Sequence, residues 1–215
     1  MKKGLTELIF ILDRSGSMSG LEQDTIGGYN AMISKQRGEV GEAMITTVLF
    51  DDNYELLHDR SNLKNINPLT AEEYYVRGTT ALLDAVGRTI QKVKKVQKDM
   101  IKTEKPEKVL FVITTDGQEN ASREYTYDKV KALIEKQKRE YGWEFIFLGA
   151  NIDAVSEARK FGIDSSRAAR FNNDSEGIHL NYEAVSNAIS ELRADSIISS
   201  KWKSSIEEDY QKRKL

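Results

Sequence analysis

Residues 13–19 read Asp13-Arg14-Ser15-Gly16-Ser17-Met18-Ser19 and carry the most concentrated chemistry in the chain. Asp13, Ser15 and Ser17 stand at i, i+2 and i+4, so one carboxylate and two hydroxyls share a Gly-containing loop. Oxygen donors on a loop at the end of a strand suit a hard divalent cation, Mg²⁺ or Ca²⁺, better than zinc or copper. The same residues also fit a plain Ser/Gly turn in which Ser17 or Ser19 caps the next helix. A match this short does not by itself separate the two readings.

Two further positions bear on the choice. The run Leu8-Ile9-Phe10-Ile11-Leu12 leads straight into Asp13 and reads as a strand buried on both faces. A second such run, Val109-Leu110-Phe111-Val112-Ile113-Thr114-Thr115, leads straight into Asp116-Gly117. Thr79 lies just before a helical pattern and can reach the same rim. Ligands of open α/β sheets sit at the carboxyl ends of the strands, where the winding direction reverses. Asp13, Ser15, Ser17, Thr79 and Asp116 therefore form a candidate cage of two carboxylates and three hydroxyls. Two carboxylates neutralise a divalent cation and no more, and hydroxyls are weak donors. Mg²⁺ keeps waters readily, so one position is expected to stay open to an incoming carboxylate. That is a binding device and needs no catalytic base.

The elements that must position these residues follow from periodicity. Strands are expected at about 5–12, 43–50, 54–58, 109–115, 143–148 and 168–171. Helices are expected at about 21–37, 81–100, 127–140 and 154–161, with a last long helix carrying Tyr182, Val185, Ile189 and Leu192 on one face. Asp52-Asn53 reads as a hairpin turn, so the second and third strands pair antiparallel. Gly27-Gly28 inside the first helix costs about 1 kcal/mol per Gly relative to Ala, which a close approach of that helix to the sheet would explain. Buried strands alternating with amphipathic helices describe a doubly wound, mostly parallel sheet with one antiparallel edge strand and helices on both faces. The expected division is one domain over 1–200 and a charged tail over 201–215, helical or frayed.

Composition narrows the function. The 215 residues carry 32 basic and 34 acidic side chains, and this near balance gives no footprint for nucleic acid. Zero cysteines exclude disulfides and thiolate metal sites, and His58 and His179 are too few and too far apart for a histidine zinc centre. No run has the apolar length of a membrane span, and the N-terminal apolar run ends in Asp13-Arg14 with no small-residue cleavage site. A cytoplasmic protein with no membrane partner is the expectation.

The order of the motifs carries a resemblance. Asp13-x-Ser15-x-Ser17 after the first strand, Gly78-Thr79 before a helix, and Thr115-Asp116-Gly117 at a strand end together resemble the von Willebrand factor A family, of the stand-alone bacterial or phage type. The second element is more often Gly-Gly-Thr, and Arg77 stands here for the first Gly. The resemblance covers roughly residues 6–198. It implies a Rossmann-like domain and a metal-ion-dependent adhesion site. In that site Ser15, Ser17 and Thr79 contact Mg²⁺ (or Mn²⁺ or Ca²⁺), and Asp13 and Asp116 act directly or through water. It also implies a protein partner whose Asp or Glu takes the remaining position.

Some neighbouring residues have plainer expectations. Thr80 is adjacent to Thr79 and could exchange roles with it, but is expected to cap the following helix. Arg14 is expected to point away from the metal toward Asp51 or Asp52, and Glu119 to be a solvated loop carboxylate. Asp153 or Asn151 is expected to cap the helix at 154. An enzyme, such as a metal-dependent phosphohydrolase or phosphotransfer protein, is the competing function. The cluster holds no His, Cys or Lys to act as base or nucleophile, and the chain has no GxxxxGK[ST] phosphate loop.

Overall fold

A computed structural model of the chain describes residues 1–195 and 197–213. The apolar runs become strands β1 (Lys2–Asp13), β2 (Glu42–Phe50), β3 (Tyr54–Asn62), β4 (Pro106–Thr115), β5 (Glu144–Ala150) and β6 (Ala168–Phe171). The amphipathic stretches become α1 (Glu22–Arg37), α2 (Leu82–Asp99), α3 (Tyr127–Tyr141), α4 (Ala154–Lys160), α5 (Ser175–Asp195) and α6 (Ser204–Lys212).

The strands form one sheet in the order β3-β2-β1-β4-β5-β6. Only the β2–β3 pair is antiparallel, as the Asp52-Asn53 turn requires. The chain winds from β1 outward through β2 to β3, then returns through α2 to β4 and winds outward the other way. Its winding therefore reverses between β1 and β4, which pair in parallel with Leu12 opposite Thr114. Asp13 and Asp116 sit just past these two central strands.

The sheet is buried on both faces, and side chains alternate along each strand. Leu8, Phe10 and Leu12 of β1 enter one core with Ile26, Tyr29 and Met32 of α1 and Val185 and Ile189 of α5. Ile9 and Ile11 enter the opposite core with Val86, Ile90 and Val93 of α2 and Val130 and Ile134 of α3. The central strands are apolar throughout because neither face meets water. β3, at the edge, is mostly half-buried and correspondingly polar.

One local expectation changes, and of the two alternatives for the C-terminal stretch the helix is the one formed, as α6. The close approach that Gly28 permits is to α5 and not to the sheet: a Cβ at Gly28 would lie 2.3 Å from the Tyr182 ring, while Gly27 has nothing within 4 Å. The charged C-terminal stretch is anchored. Trp202 and Ile206 are buried in the α1 and α5 core, and the Trp202 indole N–H donates to the Ser166 carbonyl at 2.8 Å. Its last residues, 214 and 215, lie outside the described residues. Among the described residues no helix is long and apolar enough to cross a membrane.

Candidate metal centre

The loop after β1 turns at once into a short 3-10 segment, Gly16–Met18, and buried Met18 pins it to the core. The turn brings Ser15 Oγ and Ser17 Oγ to 3.2 Å from each other. Ser17 donates to Asp116 Oδ1 at 2.5 Å, which ties the β1 loop to the end of β4. Asp13 is closed from two sides: Ser15 N–H donates to Oδ1 at 2.7 Å and Thr115 Oγ1 to Oδ2 at 2.6 Å. Its backbone carbonyl accepts from the Tyr74 hydroxyl at 2.6 Å.

Four of the five residues expected from the sequence are brought together: Asp13, Ser15, Ser17 and Asp116. Thr79 is not. It is exposed, and it is Thr80, 3% exposed, whose Oγ1 donates to Ser15 Oγ at 3.0 Å. The hydroxyl that this loop brings to the cluster is therefore that of Thr80, where the sequence pattern points to Thr79. The reason lies in the loop. Gly78 takes φ +68°, and its carbonyl accepts from Gly16 N–H at 3.2 Å, so the chain turns inward one residue later than the motif spacing suggests. Thr80 is also not needed as a cap. The cap position of α2 is Ala81, with no side-chain cap bond, and the first free N–H groups are satisfied from the next loop. Leu83 N–H donates to Glu119 Oε2 at 2.8 Å and Asp84 N–H to Ser122 Oγ at 3.0 Å. Glu119 is thus a structural clasp and not a solvated carboxylate. Asp84 returns the clasp by accepting from the backbone N–H groups of Arg123, Glu124 and Tyr125.

The electrostatics of the cluster are one-sided. Asp13 and Asp116 are 1% and 2% exposed, and neither forms an ion pair among the described residues. Burial pushes the Asp13 carboxyl up to about 6 and also raises Asp116. The one cation in the loop, Arg14, faces away: its Nε bonds Asp51 Oδ2 at 3.0 Å and its Nη2 bonds Glu55 at 2.7 Å. Arg77 joins the same carboxylate at 2.7 Å. Burial would raise the Asp51 carboxyl, but the bonds from Arg77 and Asn53 and the charge of Arg14 hold it below the usual range.

Among the described residues no three His, Cys, Asp or Glu side chains converge, so any ion here would rely on hydroxyls as well as carboxylates. The donor set fits a hard divalent cation. Two buried carboxylates lack a counter-charge among the described residues. The protons of Ser17 and Thr115 are spent on them, so Ser15 donates to Ser17 and one Ser17 lone pair stays free. Space is kept at the same point, since a Cβ at Gly117 would come within 3.0 Å of Thr80 Oγ1 and 3.1 Å of Ser17 Oγ.

No protein-family model matches the sequence, and no curated protein matches it. Solved structures do. Proximal thread matrix protein 1 from the mussel byssus, with a zinc-occupied MIDAS (metal-ion-dependent adhesion site) motif, matches with a TM-score of 0.57 at 17% identity, over 87% of this chain and 46% of that one. A von Willebrand factor type A structure from Catenulispora acidiphila gives 0.54 at 12% identity, over 87% and 42%. The chain has the von Willebrand factor A fold. The conserved hypothetical protein BatB from Bacteroides thetaiotaomicron gives 0.51 at 15% identity, over 87% of this chain and 98% of that one. This chain spans less than half the length of the mussel and Catenulispora structures.

On this A-type fold, one further motif residue and two residues outside the motifs join the site. Thr115 immediately precedes Asp116, and its inward hydroxyl follows from the alternation of β4. Tyr74 and Asn173 come from loops remote in sequence. Asn173 donates through Nδ2 to Asp116 Oδ2 at 3.2 Å. No spacing rule signals either of them. Asp153 does cap α4, accepting from Ser156 N–H at 3.1 Å, and so is occupied away from the cluster.

Proposed function

We propose that this chain is a metal-ion-dependent protein-binding module. The observation that carries the reading is the meeting of Ser15, Ser17 and Thr80 hydroxyls with two buried carboxylates, Asp13 and Asp116, that have no cation of their own. Ser15, Ser17 and Thr80 would hold a divalent cation, with Asp13 and Asp116 supplying the negative charge around it. Mg²⁺ is the cation that this hard-oxygen set suits, with Mn²⁺ or Ca²⁺ as substitutes. The zinc-occupied motif of the mussel protein supports a divalent ion at such a site.

A bound cation would offer an electrophilic position to a carboxylate. The residues of the chain do the rest. Thr115 and the Ser15 N–H orient Asp13, Ser17 and Asn173 orient Asp116, and the Glu119 and Asp84 clasp fixes the start of α2 and with it Thr80. The partner is a protein that donates an Asp or Glu side chain. Among the described residues no His, Cys or Lys enters the cluster, which favours binding over turnover, in a cytoplasmic protein of bacterial or phage type.

The test is a random-peptide display library panned on the chain with MgCl₂. Enrichment of peptides sharing an Asp or Glu, lost with chelator and lost in Asp13→Ala, is expected. Retention of the same peptides under chelator would contradict the proposal.

A further inference from the structure

The loop between β6 and α5 brings Asn173 to the cluster. The amide must turn its N–H toward Asp116, because a carboxylate accepts and cannot donate. Asn173 Nδ2 accordingly lies 3.2 Å from Asp116 Oδ2, the oxygen that Ser17 does not use. The other end of the same amide, Oδ1, is buried and has no hydrogen-bond partner among the described residues. A buried acceptor without a donor is costly and is rarely retained without a reason. The same amide that bonds Asp116 thus keeps one acceptor unspent beside a carboxylate pair that has no cation among the described residues.

The loop that presents Asn173 is held on both sides. Asn172 Nδ2 donates to Asp209 of α6 at 2.8 Å. Asp174 caps α5 through Gly177 N–H at 2.9 Å and pairs with Arg213 just beyond α6. Gly177 is packed so closely that a Cβ would lie 2.0 Å from the Asn172 carbonyl oxygen. Asn173 is thus presented by a braced turn, which is what a positioning residue requires.

We propose that Asn173 is a further residue of the cation site: its amide N–H positions Asp116, and its carbonyl oxygen is a neutral donor toward the cation, direct or through water. The inference rests on the proposed function of this site. It gives the carboxyl-terminal helix a role as well, since α6 braces the turn that carries Asn173.

The test compares wild type, Asn173→Ala and Asn173→Asp, with MgCl₂ titrated calorimetrically and melting temperatures taken without metal. In Asn173→Ala, Mg²⁺ affinity should fall about tenfold or more, while the metal-free melting temperature moves by no more than about 4 °C. In Asn173→Asp the two readouts should part in the opposite sense. A carboxylate facing Asp116 lowers the metal-free melting temperature, and the added charge keeps Mg²⁺ affinity at or above that of wild type. Wild-type affinity in Asn173→Ala, or a loss in Asn173→Asp that follows its loss of stability, would overturn the assignment of Asn173 alone. No Mg²⁺ binding by wild type would overturn the reading of the whole site and this inference with it.

Discussion

Arg14 and Asp51 form an ion pair in which both side chains are fully buried, Nε to Oδ2 at 3.0 Å. The pair removes the one positive charge of the Asp13 to Ser17 loop from the side where Asp13 and Asp116 face each other. It also fastens that loop to the end of β2, helped by Arg14 N–H donating to the Phe50 carbonyl at 2.9 Å.

Removing one partner strands the other charge in the interior. Asp51→Ala should cost about 3–5 kcal/mol. For a chain of this length that corresponds to a melting temperature lower by roughly 6–20 °C. Denaturant titration measures it, and a change under about 1 kcal/mol would show that Glu55 alone suffices for Arg14.

The raised Asp13 carboxyl makes stability depend on pH. Its folded value, about 6, lies above the usual carboxylate value of about 3.9. The folded state therefore binds the extra proton, and this contribution to stability is present below about pH 4 and is lost as pH rises through about 6. Metal-free protein should lose stability across that interval from this group. Added Mg²⁺ needs the ionised carboxylate, so its stabilising effect should be small near pH 5 and large near pH 7.5. Melting curves with and without MgCl₂ at the two pH values test this, and an equal effect at both would contradict it.

Gly117 keeps the hydroxyl cluster open. Gly117→Val should push against Thr80 Oγ1 and Ser17 Oγ and abolish the Mg²⁺ effect on the melting temperature, with the far-ultraviolet circular dichroism spectrum unchanged. An intact Mg²⁺ effect in this variant would place the cation elsewhere.

The paired glycines of α1 separate helix propensity from packing. Gly27→Ala meets nothing within 4 Å and should stabilise by about 0.5–1 kcal/mol. Gly28→Ala places a methyl 2.3 Å from the Tyr182 ring and should destabilise by about 1–3 kcal/mol in spite of the same gain in propensity. Equal effects of the two substitutions would mean that α1 and α5 pack less tightly than the structure shows.

Much of this architecture is legible in the sequence because its signals are local. The runs ending at Leu12 and Thr115 are apolar on both faces, and only a central strand of a covered sheet needs that pattern. Asp13 and Asp116 follow those runs without a spacer, so their place on the rim comes with the strands. The choice between Thr79 and Thr80 is not local. It depends on Gly78 turning the chain and on Glu119 and Ser122 serving the start of α2, which leaves Thr80 free to meet Ser15. Asn173 and Tyr74 are further from any pattern, since each reaches the cluster from a loop whose position is set by packing elsewhere. Gly28 misleads in the same way: the cost of a helical glycine is visible, but the partner that justifies it, Tyr182, lies on a helix remote in sequence.

The central claim is that the hydroxyls of Ser15, Ser17 and Thr80 hold a divalent cation. Its most direct test is the melting-temperature shift caused by MgCl₂ in wild type, Thr79→Val and Thr80→Val. At about 100 times the dissociation constant, a cation bound only by the folded state adds about 2.7 kcal/mol. In a chain of this size that raises the melting temperature by roughly 5–10 °C. That shift is expected in wild type and in Thr79→Val, and little or none in Thr80→Val. A full shift in Thr80→Val with its loss in Thr79→Val, or no shift in wild type, would contradict it.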